Sequence, residues 1–310
     1  MRPLQQAAHQ YYGEAPIGIG AGTQHLLEIL PPLLREHGAG PTVMVPAIGY
    51  QEHAFCWQKW GYNIQHYQHS DTLLQQDWDI AVLINPNNPT ASFLPTQQQQ
   101  PLFNRLSDPQ RPRWLIVDEA FMDSTPQHSW LGQPRPDTCI LLRSVGKFFG
   151  LAGARVGFAF GPKNLRAPLR VLTGPWPIAT PAAELVRLAL LDQHWQQQAH
   201  QSLANRNRIF QNSIIPLLQP ILGHPYQHTT LFYTWHTTPG HSHHAFEQLH
   251  QLGIHTRKGD GWIRLSLPSD TEITRLHQRL NHSLAGHLPE KCQPPGRPID
   301  EVVNESSSLI

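Results

Sequence analysis

The chain has 310 residues, enough for one large domain or for two that share a cleft. Only 15% of its residues are charged and the net charge is +1, so no field of one sign argues for nucleic acid or a membrane surface. Its three cysteines are far apart and outside any CxxC, which fits reduced thiols of a cytoplasmic protein better than a disulfide framework.

In chain order, the opening MRPLQQAAHQYYGEAP lacks the apolar stretch of a signal peptide, and no later run approaches transmembrane length. GIGAGT (18–23) runs straight into the helical pattern HLLEILPPLL (25–34), a junction that offers backbone N–H groups and a positive helix end to a phosphate. It mimics a dinucleotide fingerprint. No convincing strand precedes it and no ribose-binding acid follows at the required distance, so that reading fails. TVMVP (42–46), DIAVLIN (79–85), RWLIVD (113–118), TCILL (138–142) and RVGFAFG (155–161) are predicted strands. Several are apolar throughout, as parallel strands covered on both faces are. HAFCWQKW (53–60) and TQQQQPLFNRL (96–106) are predicted helices between them. The alternation predicts an α/β domain with a mostly parallel sheet and helices on both faces.

Residues 182–218 predict one long, glutamine-rich amphipathic helix that carries the chain into a second domain. There TTLFYTWH, AFEQLHQLGIHTR, GWIRLSLP and TEITRLHQRLNHSL read strand, helix, strand, helix, a smaller C-terminal α+β domain. The cluster His241, His243 and His244 has no cysteine or carboxylate at ligand spacing, so a polar loop or helix start is expected and no metal. The expected division is a large domain over 1–208, a small one over 209–288, and a loose Pro- and Ser-rich tail over 289–310.

Ligands of such sheets gather beyond the carboxyl ends of the strands, and the groups there are unusual. NPNNPT (85–90) follows a strand; its prolines fix the backbone and its amides can reach a ligand, though an ordinary turn accounts for it equally. Asp118 ends the strand WLIVD, where it serves either a ligand or a helix cap. Lys147 sits in RSVGKFFG among Val145, Gly146, Phe148 and Phe149. A buried ammonium is costly unless it is paired or chemically converted. Ser144 stands three residues before it and Arg155 eight after.

As a set, in this order and spacing, NPNNPT, DEAF, SVGK and Arg155-Val-Gly resemble the fold-type-I pyridoxal-phosphate enzymes of the aminotransferase class I/II superfamily, over residues 18 to 268. The resemblance implies pyridoxal 5'-phosphate as cofactor, with Lys147 bonding to its aldehyde and later moving protons at the substrate α-carbon. It implies Asp118 on the pyridine nitrogen, Asn88 on the phenolic oxygen, and Tyr50 stacked on the ring, where a half-buried tyrosine is the plain alternative. Ser144 and Arg155, with the backbone around Gly22, Thr23 and Gln24, would hold the phosphate. Arg264 in WIRLSLP matches the carboxylate-binding arginine. Arg257 is a second candidate anion ligand, or a solvated charge near a turn. Asn88 also borders the substrate.

Three departures stand out. Phe121 replaces a tyrosine, Ala91 replaces a glycine, and only 17 residues precede Gly18, fewer than the family's N-terminal arm, which helps close the substrate site. YQEHAFCW, VDEAFMD and GPWPIATPA resemble the branch of L-threonine O-3-phosphate decarboxylases of cobalamin synthesis. That branch implies decarboxylation to 1-amino-2-propanol O-2-phosphate, a small phosphorylated amino-acid substrate and a homodimer. A histidinol-phosphate-type aminotransferase, or a binding protein that keeps the pocket, are the alternatives.

Overall fold

A computed structural model describes residues 1–108 and 111–284. Seven strands build the larger sheet: β1 (Gly18–Gly20), β2 (Thr42–Pro46), β3 (Asn63–Tyr67), β4 (Ile80–Ile84), β5 (Trp114–Asp118), β6 (Cys139–Ser144) and β7 (Gly157–Phe160). Their order is β1-β7-β6-β5-β4-β2-β3. From β3 across to β6 every pairing is parallel, while β7 runs antiparallel to both β6 and β1. The apolar strands IAVLI and WLIVD are buried at every position, because helices cover both faces of the sheet.

One face carries α1 (Arg2–Tyr12), a short α4 (Thr72–Gln75), α5 (Gln100–Leu106), α7 (Thr180–Leu191) and α8 (Gln193–Ile209). The other carries α2 (Gly22–Glu36), α3 (Glu52–Lys59) and α6 (Arg166–Thr173). A second sheet, ordered β10-β11-β9-β8, is antiparallel. It comprises β8 (Tyr226–His228), β9 (Phe232–His236), β10 (Arg257–Gly259) and β11 (Trp262–Ser266). With α9 (Ile215–Leu222), α10 (Pro239–Gln251) and α11 (Asp270–Leu284) it encloses its own core of Phe210, Trp235, Leu249, Ile263 and Leu280.

Several expectations are corrected. The predicted helix over 182–218 is three pieces. Asp192 leaves helical geometry (φ −82°, ψ 78°) and its carboxylate accepts the Trp195 N–H at 2.9 Å, so α7 stops and α8 is capped anew. A π-turn over Phe210–Ile214 then separates α8 from α9. Gly18–Gly20, in a stretch read as having no convincing strand before it, is itself a strand on the antiparallel edge. It starts no parallel β-α-β unit, and the rejection of a dinucleotide site gains a geometric reason. The helices α1 and α6 and the strand β3 were not foreseen. The predicted tail and Cys292 lie outside the described residues.

Candidate active site

The parallel strands deliver their side chains to one end. In register, Ile84 lies beside Asp118 and Asp118 beside Leu142, so NPNNPT, Asp118 and Ser144 emerge from neighbouring strands. Asp118 is buried. Its Oδ1 accepts the Ala120 N–H at 2.9 Å, and its Oδ2 lies 2.9 Å from Nε2 of the buried His53. His53 rises from α3, 65 residues earlier, and sequence reasoning missed it. The only signal was its place three residues after Tyr50 on a helix that covers the strand end. Among the described residues its Nδ1 has no hydrogen-bond partner.

At the start of α2 no side chain caps the helix, so the N–H groups of Gly22, Thr23 and Gln24 lack an acceptor within it. Two glycines let the cradle close. A Cβ on Gly157 would lie 2.5 Å from the Thr23 nitrogen, so β7 passes directly beneath the first turn. Gly22 has φ +78°, and a Cβ there would lie 2.5 Å from Nη2 of Arg155. Arg155 itself adopts left-handed geometry (φ 51°), which turns its guanidinium back to the helix start. Ser144 sits at the end of β6, its Oγ accepting the Gly146 N–H at 3.2 Å. Gln24 links the cradle to the mouth of the site: its amide donates to Glu52 at 2.8 Å and accepts from the Tyr50 hydroxyl at 3.2 Å. Tyr50 is 40% exposed and meets His53 edge-on, 6.1 Å between centroids. Burial, then Glu52 and Asp118, push its phenol upward.

Lys147 is half-buried, with Nζ 5.2 Å from the centre of the Phe121 ring. Burial pulls its ammonium pKa down; Asp118 opposes this, and Arg264, Arg155 and Arg257 add to it. Phe121 packs against Phe232, and the Arg264 guanidinium lies 5.2 Å over the Phe232 ring, so an aromatic shelf separates the two cations. Phe121 has taken up this apolar role where the family tyrosine would offer a hydroxyl.

Arg264 Nη1 donates to Oδ1 of Asn88. That bond fixes the amide, leaving Asn88 Nδ2 as a donor. Among the described residues Arg264 Nε is buried without an acceptor, and burial together with Arg257 pushes the guanidinium down to about 10. Arg257 stands directly opposite Arg264 in the β10–β11 ladder but is exposed. The second sheet also grips the NPNNPT loop: Thr234 Oγ1 donates to the Pro89 carbonyl at 2.5 Å, and His236 Nε2 lies 3.1 Å from the Thr90 carbonyl.

The geometry therefore gathers Lys147, Asp118, Asn88 and Arg264 in one cleft, with Gly22, Thr23, Gln24, Ser144 and Arg155 at one end. Arg257 and Tyr50 border it. Among the described residues no three His, Cys, Asp or Glu side chains converge on a metal position.

Known proteins resemble the chain in sequence and in fold. The sequence matches the family Aminotransferase class I and II over residues 3–280. A threonine-phosphate decarboxylase from Pseudomonas aeruginosa is 37% identical over 195 residues, 63% of this chain and 57% of that protein. Another, from Sinorhizobium sp, is 33% identical over 186 residues, 57% of this chain and 53% of that one. The matches thus span little more than half the length of these relatives. Among solved structures, the histidinol-phosphate aminotransferase from Clostridium acetobutylicum superposes with TM-score 0.78 at 18% identity, covering 92% of this chain and 89% of that one, and shows the shared fold. With the family matched over nearly its whole described length and the fold shared, this chain belongs to the class I and II aminotransferases.

Proposed function

We propose that the chain is a pyridoxal-phosphate-dependent carboxy-lyase that removes the carboxylate of L-threonine O-3-phosphate, leaving (R)-1-amino-2-propanol O-2-phosphate for cobalamin synthesis. The observation that carries the reading is the pair Arg257 and Arg264, opposite each other on adjacent strands beside Lys147. Like charges placed so are unfavourable by themselves, and a substrate with two anionic groups relieves them. The two relatives named as threonine-phosphate decarboxylases support the same choice.

The residues fit the cofactor. The uncapped first turn of α2, the Arg155 guanidinium folded against Gly22 and the Ser144 hydroxyl suit its phosphate. Asp118, held by His53 and the Ala120 amide, suits its ring nitrogen, and the free Nδ2 of Asn88 suits its phenolic oxygen. When bound, the cofactor supplies an electron sink for the bond that breaks at the substrate α-carbon. Lys147, its ammonium pKa lowered by burial, would hold the cofactor through its aldehyde and would carry a proton at the substrate α-carbon. Arg264 and Arg257 would hold both ends of the substrate and so select which α-carbon bond breaks. Selection of the carboxylate bond would give decarboxylation. Selection of the hydrogen would instead make the same residues an aminotransferase, the activity named for the Clostridium structure.

The test gives L-threonine O-3-phosphate to the pyridoxal-phosphate-loaded protein without any oxo acid. Mass spectrometry then follows carbon dioxide and aminopropanol phosphate. Repeated turnover is expected. A single half-reaction without carbon dioxide would mean a transaminase, and no product at all would mean a binding protein.

We also propose a cytoplasmic homodimer. Val171, Trp176, Leu185 and Leu188 expose apolar surface around α6 and α7, with Trp176 90% exposed. Sedimentation that finds only monomers would remove this proposal.

A further inference from the structure

Side chains along β9 alternate between the two faces of its sheet. Tyr233 and Trp235 enter the core of the second domain, with Ile263 and Leu265 of β11 and Ile273 and Leu276 of α11. Phe232, Thr234 and His236 take the opposite face, and each meets the larger domain there. Phe232 packs on Phe121, Thr234 Oγ1 donates to the Pro89 carbonyl at 2.5 Å, and His236 Nε2 lies 3.1 Å from the Thr90 carbonyl. Register places Thr234 directly opposite Arg264, whose Nη1 reaches Oδ1 of Asn88. Two neighbouring side chains of the second sheet therefore take hold of two consecutive residues of NPNNPT.

Thr234 is fully buried. A valine would fill its volume but leave the Pro89 carbonyl without that donor, so the hydroxyl contributes a bond and not bulk. The larger domain holds the same loop from its other side. Asn85 exchanges bonds with the backbone of Leu94 at 2.8 and 3.0 Å, and Asn87 Nδ2 donates to the Ile48 carbonyl at 2.7 Å. Asn88 stands between these anchors, with its side chain turned to Arg264. Asn87 fixes its backbone on one side, and Thr234 fixes it on the other through Pro89.

We propose that Thr234 is a positioning residue for the cofactor: through the Pro89 carbonyl it holds Asn88 Nδ2 in place for the phenolic oxygen of pyridoxal phosphate. This rests on the assignment of Asn88 to that oxygen and is independent of which reaction the chain performs. A donor at the phenolic oxygen favours its charged form, and so lowers the pH at which the lysine-bound cofactor gives up its proton. Loosening Asn88 raises that pH.

The test loads wild type, Thr234→Val, Thr234→Ser, Asn88→Ala and Ser242→Ala with pyridoxal phosphate. Each is titrated with pH, without substrate, while the visible absorbance of the cofactor is followed. Asn88→Ala should raise the midpoint by about one unit, the worth of one hydrogen bond. Thr234→Val should raise it by about half as much, and Thr234→Ser, which keeps the hydroxyl, should restore it. Ser242 is another buried hydroxyl of the second domain, 2.9 and 3.1 Å from the carbonyls of Pro239 and Gly259, so Ser242→Ala should leave the midpoint unchanged. If Asn88→Ala moves the midpoint and Thr234→Val does not, the positioning role is overturned and the Asn88 assignment stands. If neither moves it, both fall. An equal rise in Ser242→Ala would also overturn the role, since any loosening of the second domain would then suffice. Should Thr234→Val not fold, Thr234→Ala removes the same donor and is read by the same criteria. Turnover plays no part in this readout, so failure of the decarboxylase reading would leave it intact.

Discussion

Replacing a buried charge should make this protein more stable. Arg143 on β6 is enclosed by Glu119 and Asp123: Nη1 donates to Glu119 at 2.8 Å and Nη2 to Asp123 at 2.6 Å, with all three side chains 2% exposed or less. Two carboxylates thus share one guanidinium. Burial raises the Asp123 carboxyl from 3.8 to about 6, Arg143 opposes the rise and Glu119 adds to it. Because the folded state holds this proton more tightly than the unfolded chain, its contribution is fully present below about pH 4 and lost as pH rises through about 6. The gap of about two pH units, at about 1.4 kcal/mol each, is a cost of about 3 kcal/mol to the folded protein above pH 6. Asp123→Asn keeps an acceptor for Arg143 and leaves Glu119 as its sole counter-charge. Equilibrium urea unfolding, followed by tryptophan fluorescence, should show the variant more stable by up to about 3 kcal/mol near pH 8 and no different near pH 4. A variant less stable than wild type near pH 8 would refute the reasoning, because Asp123 would then be ionised at no cost.

Three further outcomes are expected. Arg264→Lys loses the planar fork for a carboxylate, so KM should rise at least about tenfold in steady-state assays while cofactor absorbance is unchanged. His53→Leu leaves the Asp118 carboxylate with the backbone amide of Ala120; urea unfolding should show a loss of about 2 kcal/mol, and dialysis a faster loss of pyridoxal phosphate. Gly157→Ala places a methyl group 2.5 Å from the Thr23 nitrogen, so the first turn of α2 must shift, and spectroscopic titration should show cofactor affinity falling about tenfold or more.

The strands over 80–84 and 114–118 were legible because both faces of each are buried, which writes an unbroken apolar run into the chain. Lys147 and Asp118 were legible for the opposite reason, as charges where such runs end. Strand β3 was not: NIQHY lies at the sheet edge with only Tyr67 fully buried, so its sequence carries little apolar pattern. The break at Asp192 escaped because the heptad-like apolar spacing continues across it, and the halt depends on one carboxylate capping the next helix. His53 and the facing of Arg257 with Arg264 share one cause. Each acquires its meaning from a partner brought by packing or register, which spacing along one chain does not encode.

The bonds from Thr234 and His236 to the carbonyls of Pro89 and Thr90 join segments about 145 residues apart in the chain. This sets a timetable for a chain leaving the ribosome. When β7 has emerged, the whole larger sheet can assemble, with Lys147, Asp118 and the α2 cradle already present. The loop that carries Asn88 still lacks its latch, and Arg264, which orients the Asn88 amide, has not been made. A nascent chain stalled before Phe232 should therefore expose a cofactor site with one wall open, and retention of pyridoxal phosphate should begin only as the last quarter of the protein is synthesised.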